Sequence, residues 1–168
     1  LEIIEYKITK ERGIPIVTSP PIVVYREMIS GKSEEIQGKS PNKHTKLTFT
    51  VEPIEKTVFD AMIEGKIPDG QPKGKSLVET LVECGMQRDE AKAVYDIHNK
   101  NIFINDTRGI QYLNEISELM IQGFEEAMDL GPLAKEKVVG VKVKITDAII
   151  HEDPVHRGPA QIIPATKR

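Results

Sequence analysis

The chain has 168 residues, 39% apolar and 29% charged, an ordinary mix for a globular domain long enough to bury a core. A single cysteine, Cys84, excludes an intrachain disulfide or a multi-cysteine metal site and fits a reducing cytoplasm, and no run of about 18 apolar residues offers a membrane span. The net charge of −3 argues against a broad basic surface for nucleic acid, leaving two short basic stretches: Lys39, Lys43, His44 and Lys46, then His156, Arg157, Lys167 and Arg168.

Leu1, Ile3, Ile4, Tyr6 and Ile8 predict a strand over residues 1–8 that lacks a nearby partner, as if it closed a preceding domain. Because the chain opens on Leu1 and not on Met, it is expected to be cut from a longer protein. Gly13 to Pro21, with three prolines, reads as a link. The β-branched run from Ile22 to Met28 predicts a strand. Turns follow at Ser30–Ser33 and Gly38–His44. Leu47, Phe49 and Val51 then alternate with Lys46, Thr48, Thr50 and Glu52, the period of a strand with one buried face.

Pro53 suits the start of a helical block. Ile54, Val58, Ala61 and Met62 recur at helical spacing up to Gly65. After a Gly/Pro loop over residues 66–75, the capping-box sequence from Ser76 to Glu79 predicts a helix stopping near Gly85, and a third helix is expected from Arg88 to Ile97. Residues 52–96 carry ten acidic and six basic side chains, so residues 53–99 read as an acidic helical insertion between two strands.

Ile102 and Ile104 mark a short strand. Ile110, Leu113, Ile116, Met120, Ile121, Phe124, Ala127 and Met128 form one apolar stripe, predicting a helix from Ile110 to Leu130 closed by Gly131. Val139, Val141, Val143 and Ile145 alternate with Gly140, Lys142, Lys144 and Thr146; this strand extends through Ile150 into a polar loop, His151–Pro159. Pro164 is expected to open a last, truncated helix at its first position. Strands with helices packed on one face predict an α+β sandwich of two layers.

The candidate chemistry is thin. Gly70 to Ser76 resembles a phosphate loop but has three residues between its glycines where four are needed, and Pro72 removes a backbone donor; Gly31, Lys32 and Ser33 lack the first glycine, with Arg26 in its place. No nucleotide site follows. His151, Asp153 and His156 share a loop and raise the alternative of a metal-dependent enzyme, although the His-Glu-x-x-His zinc spacing is missed by one residue. Cys84 lies at a predicted helix end, where the dipole disfavours a thiolate.

Three segments carry a resemblance. The strongest runs from Ile149 to Pro164: Asp153, two residues, His156-Arg157-Gly158, then Gln161-Ile162-Ile163-Pro164. The second is Val24 to Glu27 followed by Gly31-Lys32-Ser33 and Ser40 to His44; the third runs from Arg108 to Glu115. Together they resemble the elongation factor 2 family of archaea and eukaryotes, with residues 1–15 like the end of its domain III and linker, and residues 16–168 like domain IV. The resemblance implies a fold like ribosomal protein S5 domain 2. It implies a non-enzymatic, monomeric piece of a translocation GTPase, with GTP and Mg belonging to a G domain this chain lacks. The implied partners are the ribosome, the codon–anticodon duplex of tRNA and mRNA, and the enzymes that build diphthamide, which would modify His156. Pro41, Asn42, Lys43, His44, Asp153, Arg157 and Gly158 would then contact the decoding site. On the residues alone, Lys43 and Arg157 suit phosphates, Asn42 and His44 suit hydroxyls, and Gly158 allows close backbone approach. The expectation has one geometric requirement: the loops 39–46 and 151–159 must share one end of the molecule.

Overall fold

The alternation around Phe49 and that around Val143 set two long strands side by side at the centre of one sheet. A computed structural model describes residues 2–20, 22–72 and 74–167. Its strands are β1 (Ile36–Lys39), β2 (Lys46–Pro53), β3 (Val94–His98), β4 (Asn101–Asn105) and β5 (Val141–Ile149), in the spatial order β1-β2-β5-β4-β3. All neighbours are antiparallel except β4 and β5. A parallel pair needs a long crossover, and here α5 (Leu113–Asp129) supplies it.

The remaining helices are α1 (Glu2–Tyr6, running into a π turn, Lys7–Glu11), α2 (Lys56–Ile63), α3 (Lys75–Glu83), α4 (Arg88–Lys92) and α6 (Pro159–Lys167). Successive strand residues face opposite sides of a sheet, and β4 shows both faces buried. Phe103 joins Leu47, Phe49, Ile145 and the inner stripe of α5 and α6 in one core. Its ring stacks on Phe124 with centroids 5.2 Å apart. Ile102 and Ile104 instead join Val58, Met62, Leu81 and Met86 in a second core under α2 and α3. The expected two layers are therefore three over this half of the sheet. A strand that is buried on both faces has to be apolar at consecutive positions, as Ile102, Phe103 and Ile104 are.

On the second face, Lys142 and Lys144 of β5 are buried among Glu52, Glu55 and Glu90. Lys142 Nζ lies 2.6 Å from Glu55 and 3.0 Å from Glu90; Lys144 pairs with Glu52 at 2.7 Å and also with Glu90. These two cations are enclosed and add nothing to the outer charge of the domain.

Several expectations are corrected. Residues 2–11 are helical and, apart from half-buried Ile8, exposed, where a strand was expected over 1–8; Leu1 lies outside the described residues. Residues 22–28 are irregular, with Glu27 alone bridging Val138, because no strand edge stands beside the rest of the run; Pro21 lies outside the described residues. Glu27 is held by more than its backbone. Its carboxylate accepts N–H groups of Ala134, Leu133 and Glu136, which keep it below the usual carboxylate range.

The insertion is not wholly helical either. Of the third helix, expected over Arg88–Ile97, only Arg88–Lys92 forms, and Val94–His98 is the edge strand β3. Pro53 ends β2 and opens no helix. The capping box at Ser76 does not form, since Gly74 is the N-cap and Ser76 lies inside α3; Lys73 of the preceding loop lies outside the described residues. The stripe helix starts at Leu113 and not at Ile110, because Tyr112 adopts a left-handed backbone (φ 63°). At the C-terminus Pro159, and not Pro164, takes the first helical position, leaving Pro164 inside α6.

Candidate functional site

Strand register decides where the loops go. Lys39 pairs with Lys46, and Lys46 pairs with Ile149. The connection 40–45 and the segment after Ile149 therefore leave the same end of the sheet. There they touch.

The first loop is a turn tied by its own side chains. Lys43 N–H donates to Ser40 O at 2.8 Å, and Ser40 N–H donates to Thr45 O at 2.9 Å. The Ser40 hydroxyl accepts Thr45 N–H at 3.0 Å. Asn42 Oδ1 accepts the Ser40 hydroxyl at 2.6 Å and His44 N–H at 3.1 Å. Lys43 sits at the apex with a positive φ of 64° and an exposed side chain. Pro41 is likewise exposed.

The second loop forms a short 3₁₀ turn, Pro154–Arg157. Asp153 caps it, its Oδ1 accepting Val155 N–H at 3.0 Å, while Asp153 N–H donates to His151 Nδ1 at 3.0 Å. Pro154 at the first position needs no backbone donor.

One hydrogen bond joins the two loops, and a second ties the first loop to α6. Asn42 Nδ2 lies 3.2 Å from His156 Nδ1, and Asn42 N–H donates to Gln161 Oε1 at 3.1 Å. Three imidazoles gather beside them. The ring centroids of His44, His151 and His156 lie 4.6 to 5.0 Å apart. The geometric requirement set by the sequence is met, since Lys43 stands between two residues that both contact His156.

Arg157 is a correction. It was expected to offer its guanidinium to phosphate, but the residue is 8% exposed. Its Nη1 donates to Glu115 at 2.7 Å, its Nη2 donates to Glu152 O at 2.9 Å, and the group lies 4.3 Å from the Tyr112 ring centroid. Arg157 holds the loop from inside. At Gly158, by contrast, an added Cβ would meet nothing within 4 Å, so no neighbour among the described residues demands a glycine there.

Gln161, Ser40, Glu115 and Tyr112 were missed as site residues. All four lie within segments that carry the resemblance, but their partners are as far as 119 positions away, and spacing does not reveal such pairings. The metal alternative finds no support. His151 Nδ1 and an Asp153 oxygen are engaged by backbone N–H groups, and among the described residues no group of three or more His, Cys, Asp or Glu could hold a metal ion. Lys167 pairs with Glu126 on α5, so it belongs to the helix pair and not to the tip; Arg168 lies outside the described residues.

A sheet that gathers two polar loops at one end, with helices closing both faces behind them, defines a domain that presents a tip and not a cleft. The chain belongs to the family described as elongation factor G, domain IV, whose model matches residues 65–168. It is also similar along its whole length to curated relatives named elongation factor 2. The one from Methanopyrus kandleri is 58% identical over 169 residues, covering 100% of this chain and 13% of the relative. Those from Methanosphaera stadtmanae and Methanocaldococcus jannaschii are 52% and 53% identical, covering 100% and 99% of this chain and 23% and 24% of the relatives. The chain thus spans less than a quarter of these relatives' length.

Proposed function

We propose that this chain is the tip-bearing domain of a GTP-dependent translocation factor and follows the fold of ribosomal protein S5 domain 2. In this reading the parent protein works on cytoplasmic ribosomes, and its GTP and Mg belong to a G domain elsewhere in it. The tip enters the decoding site as tRNA and mRNA move. There Pro41, Asn42, Lys43 and His44 from one loop, and Asp153, His156 and Gly158 from the other, meet the codon–anticodon duplex. His156 is the residue that diphthamide enzymes modify.

The observation that carries the reading is the Asn42–His156 contact, which joins the two basic loops across 114 residues of sequence. An A-form duplex exposes phosphates, 2′-hydroxyls and a shallow minor groove, and a narrow tip with exposed Lys39 and Lys43 and several imidazoles matches those groups. A charge-assisted contact contributes about 1.5 kcal/mol, roughly tenfold in rate if it forms during the movement. In the full-length factor, Lys43→Ala and His156→Ala are each expected to slow translocation by about that factor and to raise frameshifting. Unchanged rate and frame fidelity in both variants would sink the assignment of the tip. Mass spectrometry of the His156 peptide from the native organism tests the modification separately.

A further inference from the structure

The tip contains a hydrogen-bond chain whose polarity can be read from one end to the other. His44 N–H is a backbone group that can only donate, so the Asn42 atom facing it is the carbonyl oxygen. The Ser40 hydroxyl meets that same oxygen. The amide orientation of Asn42 is thereby set, and its other end, Nδ2, can only donate. It faces His156 Nδ1 at 3.2 Å, so that nitrogen must supply a lone pair and carries no proton. The proton of the neutral ring is on Nε2. His151 obeys the same logic through a different donor, because its Nδ1 accepts Asp153 N–H. Among the described residues, neither Nε2 has a hydrogen-bond partner in the chain.

We propose that Asn42 is a positioning residue that sets His156 in its Nε2–H tautomer, so that the tip, with His151, presents two imidazole N–H donors to hydrogen-bond acceptors on its ligand. The ligand chemistry rests on the proposed function: phosphate oxygens, ribose 2′-oxygens and minor-groove base acceptors fit, and exocyclic amines do not. The tautomer itself rests on the geometry alone.

Two-bond proton–nitrogen correlation spectra of the ¹⁵N-histidine-labelled 168-residue chain at pH 8 report which ring nitrogen holds the proton. The wild-type chain is expected to show Nε2–H at His151 and His156. Asn42→Asp keeps an oxygen for Ser40 and His44 N–H but replaces the amide donor by an acceptor. His156 Nδ1 is then expected to become protonated, while His151 stays unchanged as the internal control. A wild-type His156 with its proton on Nδ1 overturns the inference without recourse to any variant. So does an Asn42→Asp spectrum identical to wild type. In the full-length factor, Asn42→Asp should slow translocation about as much as His156→Ala. If the tautomer flips and translocation does not change, donor presentation is wrong as the ligand rule; if Lys43→Ala and His156→Ala have no effect either, the proposed function fails instead.

Discussion

Arg157 sits in the most recognisable stretch of the sequence, yet its side chain faces the interior. A planar fork can bond two oxygens and stack on a ring at once, and Glu115, the Glu152 carbonyl and Tyr112 use all three capacities. Lysine keeps the charge but has neither fork nor plane. Arg157→Lys is therefore expected to cost about 2 kcal/mol, the value of one charge-assisted bond. For a chain of this size that is a fall in Tm of roughly 4–8 °C. The 3₁₀ turn should also exchange its amide protons faster, because its inner anchor is gone. A variant that melts with the wild type would show that the fork does not hold the loop. Residue type alone pointed outward here: an arginine beside a histidine in a polar loop reads as a surface cation. Glu115 lies 42 positions away, and no local pattern connects them.

At the scale of elements, legibility followed length. The stripe of α5 and the alternation of β2 and β5 span several periods, so type and position were clear, and the strand around Ile102 and Ile104 was also found. Shorter pieces failed for identifiable reasons. Val94 and Ile97 stand three apart, a helical interval, and they follow the true helical turn of α4 without a break, so β3 read as its continuation. Residues 22–28 have strand composition but lack a strand partner over most of their length. The meeting of the two loops was expected from the family resemblance, but the Gln161 and Asn42 pairing needed the packing of α6. That packing has its own test at Gly38. The bare glycine of β1 lets α6 come so close that an added Cβ would fall on the Ala165 carbonyl oxygen. A backbone atom cannot swing aside as a side-chain end can, so Gly38→Ala must displace the helix or bend the strand. The expected loss is about 3 kcal/mol, read as a lower urea midpoint at unchanged slope. The Asn42–Gln161 bond, which ties the tip to α6, should weaken with it. An unaltered midpoint would mean that β1 and α6 do not pack this closely.

Across the whole molecule, two buried electrostatic features act in opposite directions on stability. Asp96 of β3 is 2% exposed with one carboxylate oxygen unpartnered. Burial first, then the nearby Glu125 charge, push its carboxyl up to about 6. The fold then holds a proton that the unfolded chain, at an ordinary 3.8, has released, so stability falls as pH rises from 3.8 through 6. The Lys142–Lys144 network does the reverse. Burial pushes Glu52 up, but the bonds and charges of Lys144 and Lys142 outweigh it and bring the carboxyl to about 2. Glu90 is lowered by the same balance. A carboxylate lowered from 4.5 in this way stabilises the fold above pH 4.5, and that stability is lost as pH falls towards 2. The two windows overlap little, so denaturant unfolding followed against pH should show stability climbing from pH 8 to a maximum near pH 5, then falling steeply below pH 4. Asp96→Asn is expected to remove the climb by raising stability at pH 8 by up to about 3 kcal/mol, with no gain at pH 4. Lys142→Met leaves buried carboxylates undercompensated. It should cost about 3 kcal/mol at pH 7 and flatten the acid limb, since less ion pairing remains to be lost. The network joins β2 and β5 to Glu55 before α2 and to Glu90 of α4, so this loss also loosens the layer under α2–α4 from the sheet. If Lys142→Met kept the wild-type acid profile, Glu52 and Glu90 would not be held by these lysines, and the second core alone would be what fastens that layer.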